Sequence, residues 1–130
     1  KYKKMFSASS NIEELHVQEE SRDKTFITNA VNLMKQNYAD SDYNLERFVR
    51  DMGYSKTLVN KKMQDLTGQP IVQFMKNYRL NVAQKMLQEG PGDTNISEIA
   101  YAVGFNDPKY FTKCVKEFLG YLPSSRRQKE

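Results

Sequence analysis

Leu45-Glu46-Arg47-Phe48-Val49-Arg50-Asp51-Met52-Gly53-Tyr54 recurs 51 residues later as Ile96-Ser97-Glu98-Ile99-Ala100-Tyr101-Ala102-Val103-Gly104-Phe105. In the first copy Leu45, Phe48, Val49 and Met52 fall at i, i+3, i+4 and i+7, which makes one apolar face of a short helix. Ile96, Ile99, Ala100 and Val103 repeat that face. Each copy then meets a glycine suited to a left-handed helix end. An aromatic follows, expected to tuck back, and then a polar residue that can cap a second helix: Ser55, and Asp107 after one extra residue. Beyond that residue the register becomes 52, pairing Val59 with Phe111, Met63 with Val115, Leu66 with Phe118 and Gly68 with Gly120. A short helix, a glycine turn and a capped second helix make a helix-turn-helix, and two in tandem point to DNA.

Between the copies, Pro70 opens a long amphipathic segment that runs to about Gln88. Ile71, Phe74, Met75, Tyr78, Val82, Met86 and Leu87 are expected on or near its buried side. At a rise of about 1.5 Å per residue it spans roughly 27 Å. Gly90-Pro91-Gly92-Asp93 stops it and lacks the Gly-Lys-Ser/Thr ending of a phosphate-binding loop. Upstream, Phe26, Ile27, Ala30, Val31 and Met34 predict a first helix from about Asp23 to Gln36. The expected fold is therefore all-α, with two helix-turn-helix subdomains (45–68 and 95–120) joined by a linker helix (70–89). Residues 1–23 are polar and weakly patterned and read as a flexible linker; residues 24–130 read as the domain proper.

Charge follows the repeat. Residues 1–44 hold six Lys/Arg against seven Asp/Glu, whereas residues 45–130 hold fourteen against nine. The whole chain of 130 residues carries a formal +4. A cationic excess on the repeated part suits phosphate neutralisation. The single cysteine, Cys114, rules out an intrachain disulfide and suits a reducing compartment, so a cytoplasmic location without membrane contact is expected. His16 is alone and no His/Cys cluster has metal spacing, so neither catalysis nor a cofactor is expected.

If Val59 and Met63 point inward, Lys56, Thr57, Asn60 and Lys61 point out. If Phe111 and Val115 point inward, Pro108, Lys109, Thr112 and Lys113 point out. Lys can donate to guanine N7 and O6, Asn can pair with adenine N6 and N7, and Thr can meet a thymine methyl. Ser55, Lys56, Lys62, Lys76 and Lys116 are assigned to phosphates. Phe48, Phe74, Tyr110, Phe111 and Phe118 read as core, and Tyr101 as packed. The alternative to a DNA reader is a helical protein-interaction module that grips an acidic partner with the same faces.

The residues also carry a resemblance. Gly53-Tyr54-Ser55-Lys56, Thr67-Gly68-Gln69-Pro70, Tyr78-Arg79-Leu80-Asn81-Val82-Ala83, the run from Ile99 to Phe111, and Phe118-Leu119-Gly120-Tyr121-Leu122-Pro123 resemble the AraC/XylS-type DNA-binding domain. The match covers about 26–127. The Gly104–Phe111 wording is most similar to output domains of hybrid two-component sensors of gut Bacteroidetes. The resemblance implies seven or so helices, with the helices at 55–67 and 107–119 reading two successive major grooves. It puts base reading on Thr57, Asn60, Lys61, Pro108, Lys109, Thr112 and Lys113. It also implies a receiver and sensor kinase upstream in the same chain; RNA polymerase and a second copy are further expected partners. Lys61 stands where the family commonly has Arg, and Lys62 where an apolar residue is usual.

Overall fold

The computed structural model describes residues 8–90 and 95–120, with side chains from Val17 onward. The expectations placed on 91–94 and 121–130, including the second half of the Gly-Pro-Gly turn and the basic tail, lie outside the described residues. Six helices are present among those described: α1 (Ala8–Asn37), α2 (Leu45–Met52), α3 (Lys56–Thr67), α4 (Ile71–Glu89), α5 (Ile96–Ala102) and α6 (Pro108–Leu119). The reading implied about seven. α1 starts well upstream of the expected Asp23, so 8–23, read as a linker, is helical. That stretch has good helix formers but no apolar stripe, so periodicity alone does not mark it as a helix.

Side-chain caps start four of the helices. Asn44 accepts from the backbone N–H of Arg47, Ser55 from Leu58, Asn95 from Ser97 and Glu98, and Asp107 from Lys109. These bonds satisfy donors that a helix N-terminus otherwise leaves unpaired.

Two cores form, and α4 serves both. Phe26, Ala30, Met34, Tyr43, Phe48, Val59 and Met63 gather with Ile71 and Met75 of α4. Leu80, Ala83 and Leu87 of α4 gather with Ile99, Val103, Phe111 and Val115. At about 100° per residue, Leu80, Ala83 and Leu87 lie on a face of α4 turned roughly 130° from that of Ile71 and Met75. The single buried stripe expected for this helix is thus two half-length stripes on different faces. Leu80 and Ala83, absent from the expected set, are buried, whereas Val82 and Met86 are half-buried.

Three aromatics depart from expectation. Tyr54 does not tuck back: it is 57% exposed, and Tyr101 is 56% exposed. Tyr110 is 48% exposed, although its ring lies 6.1 Å from that of Phe105. Each sits at a turn or on an outer helix face, while Phe48 and Phe111 occupy the cores.

Candidate nucleic-acid interface

On α3, Val59 and Met63 are fully buried, while Lys56, Thr57, Lys61 and Gln64 are exposed. On α6, Phe111, Cys114 and Val115 are buried, while Lys109, Lys113 and Lys116 are exposed. The 52-residue register superposes these outer stripes: Thr57 on Lys109, Asn60 on Thr112, Lys61 on Lys113 and Gln64 on Lys116. A shallow groove runs along α3, lined by Lys56, Thr57, Asn60, Lys61, Gln64 and Asp65. Gln64 was not among the expected site residues. Its position one turn beyond Asn60 and Lys61 was available from helical spacing alone.

Lys61 pairs with Asp65 at 3.2 Å, with both side chains well exposed. Such a pair contributes little and yields readily to a stronger anion. Thr112 Oγ1 donates to the carbonyl of Pro108 at 3.0 Å, which occupies its hydroxyl proton and leaves its methyl and lone pairs for a neighbour.

Two expected assignments, Asn60 and Lys62, are changed by intramolecular bonds. Asn60 Oδ1 accepts from the backbone N–H of Ile71 at 3.1 Å. That N–H opens α4, whose own N-cap residue, Pro70, offers no side-chain bond. The amide oxygen needed for a two-bond adenine contact is therefore engaged. Lys62, assigned to a phosphate, instead binds Asp23 of α1 and is about two-thirds buried. Lys76 is half-buried, with its ammonium 5.9 Å from the centre of the Tyr110 ring. It lines a cleft of about 350 Å³ between the subdomains, together with Asn44, Val72, Asn106 and Asp107.

The residue that sequence reading missed altogether as a functional element is Arg79. Its Nε donates to the carbonyl of Tyr38 at 3.0 Å, and its Nη2 to those of Asp40 (2.9 Å) and Tyr43 (3.2 Å). Burial pulls its pKa below the usual arginine value, and the carboxylate of Asp40 partly opposes this. Asp40 itself is held below the usual carboxylate range, first by the N–H of Asp42 and then by Arg47, whose guanidinium lies 3.1 Å away. Gly104 abuts the same place with φ +93°: a Cβ there would lie 2.1 Å from the Tyr38 carbonyl oxygen and 2.7 Å from Arg79 Nε. At its counterpart Gly53 (φ +85°) a Cβ would meet nothing within 4 Å.

Two helix-turn-helix units on a shared rod, each turning a cationic outer stripe to solvent, define a DNA-binding domain of the double helix-turn-helix class. A family model described as "Helix-turn-helix domain" matches residues 48–129, and the chain belongs to that family, in its AraC type, whose members are DNA-binding transcription regulators. It is 30% identical to "Histidine kinase P4" of Formosa agariphila over 122 residues, 94% of this chain and 9% of that one. A transcriptional regulator of Chromobacterium violaceum, described as containing AraC-type DNA-binding domains, has a similar fold (TM-score 0.73, 21% identity, 83% of this chain and 94% of that one). So does the DNA-binding domain of the global transcriptional factor AdpA, solved with a target DNA (TM-score 0.69, 21% identity, 76% of this chain and 86% of that one). The chain spans between 9% and 32% of the length of the first curated relatives it matches. Among the described residues no helix is long and apolar enough to cross a membrane.

Proposed function

We propose that this chain is the DNA-reading output domain of a signal-responsive, cytoplasmic transcription regulator of the two-component kind, with a receiver and sensor kinase upstream in the same polypeptide. The observation that carries it is the paired outer stripe: α3 and α6 expose residues of matching register and mostly cationic or amide chemistry, each stripe backed by its own core. α3 and α6 enter successive major grooves. Thr57, Lys61 and Gln64 read one, and Pro108, Lys109, Thr112 and Lys113 the other. Asn60 holds the start of α4 through its Oδ1 and positions α3 rather than reading a base. Ser55, through the backbone N–H groups it heads, and Lys56, Lys76 and Lys116 meet phosphates. The kinase relative supports the upstream signal. The helical stretch 8–23 is the tether through which that signal arrives, and a second copy and RNA polymerase are the partners of the bound state.

Selection from a random duplex library, followed by a salt titration of the enriched site, tests this. Binding should weaken steeply with salt, by a log–log slope of about −0.9 per phosphate neutralised. Lys113→Ala should cost about 1–3 kcal/mol, confined to base pairs of one half-site. No enrichment, together with indifference to DNA at low salt, would sink the reading and favour a protein-interaction module.

A further inference from the structure

We infer that Arg79 is a positioning residue for two-groove reading: it fixes the angle between the two helix-turn-helix units and thereby the half-site spacing the protein accepts. The inference rests on the two-groove reading proposed above. The two cores are separate clusters, with Tyr38 the residue bordering both. Among the described residues no broad apolar contact therefore clamps one unit against the other, and α4 alone would leave bending and twisting freedom between them. The polar node at the middle of α4 supplies what the cores do not. Three carbonyls of the α1–α2 connection, which belongs to the first unit, converge on one guanidinium. The turn of the second unit seats against that guanidinium and the Tyr38 carbonyl so closely that residue 104 has no room for a Cβ.

The contrast with Gly53 separates two causes. Both glycines have positive φ, which the turn requires, but close approach is found at Gly104 alone. The second unit thus docks on the first through Arg79. Lys at this position would keep the charge and lose the planar fork that reaches several acceptors at once.

On DNA, inserting one base pair moves the second half-site by about 3.4 Å and turns it by about 34°. A rigid pair of readers discriminates against that change; a loosely hinged pair follows it. The experiment measures affinity of the full chain, wild type and with Arg79→Lys or Arg79→Ala, for four probes. These are the duplex enriched from a random library, the same duplex with one half scrambled, and versions with one base pair inserted or deleted between halves. Wild type should prefer one spacing by about tenfold or more, as expected when two modules share a stiff link. The variants should keep half-site affinity within about twofold, lose about tenfold on the preferred duplex, and bind the three spacings nearly alike. An unchanged spacing profile, or equal loss on half and full sites, overturns the inference.

A second arm needs no DNA. Spin labels at Gln64→Cys and Glu117→Cys, both exposed positions, in a Cys114→Ala background, report the separation of α3 and α6. The distribution should be narrow with Arg79 and broad without it; equal widths would overturn the inference. If wild type enriches no duplex, the functional reading fails by itself while the labels still decide the role of Arg79.

Discussion

Replacing Asn60 by Ala separates a base-reading side chain from one that holds the reading helix in place. The bond from the N–H of Ile71 to Asn60 Oδ1 is 3.1 Å long and spans 11 residues, from the second turn of α3 to the start of α4. Ile71 is 1% exposed and Pro70 supplies no side-chain cap, so little water can take over when the amide goes. Loss of a capping side chain costs about 1 kcal/mol, rising to about 2 where the donor is left unpaired. For a domain of this size that is a fall of roughly 4–8 °C in Tm, read by circular dichroism at 222 nm. Asn60→Asp keeps an acceptor, and its charge favours the N-terminus of α4, so its Tm should stay near that of wild type. On DNA, Asn60→Ala should weaken binding with no change in preference at any one base pair. A Tm unmoved by Asn60→Ala, joined to an affinity loss confined to one A·T pair, would refute this assignment.

Gly53→Ala should cost about 1–2 kcal/mol in urea unfolding, the cost of a left-handed Cβ, whereas Gly104→Ala should cost at least twice that because the Tyr38 carbonyl must also move. Lys62→Ala should leave the salt slope of DNA binding unchanged, since its ammonium is spent on Asp23; Lys116→Ala should reduce the slope by about 1. Burial first, and then the hydrogen bond to Asp51 at 2.9 Å, pushes the phenol pKa of Tyr43 well above its ordinary value. A raised folded-state pKa stabilises fully below the unfolded value of about 10 and progressively less above it. Stability should therefore fall as pH rises past about 10, and Tyr43→Phe should flatten that fall in alkaline denaturation.

Much of the architecture is written locally. The i, i+3, i+4, i+7 sets at Leu45–Met52 and Ile96–Val103, the glycines that follow them, and the caps Ser55 and Asp107 act over a few residues, so their physics is legible in a linear string. The outward stripes of α3 and α6 follow from the same spacing, and so do the exposed Thr57, Lys61, Lys109 and Lys113. Linear reading went astray where one element serves two neighbours. The pattern of α4 predicts one buried stripe, because a helix pattern does not say that its partner changes halfway along. Tyr54, Tyr101 and Tyr110 are each about half exposed, because neither residue type nor turn pattern says which way an aromatic ring will face.

By itself, the chain of amino acids determined the duplication, the order of helices and turns, and which helix faces carry cations. These depend on backbone periodicity and on capping chemistry between near neighbours. Tertiary structure alone decided that Asn60 is held by Ile71, that Lys62 is neutralised by Asp23, and that Arg79 gathers three carbonyls beneath Gly104. Those hydrogen bonds join residues 11 to 41 positions apart, and a hydrogen bond between distant positions exists only once folding has brought donor and acceptor within about 3 Å.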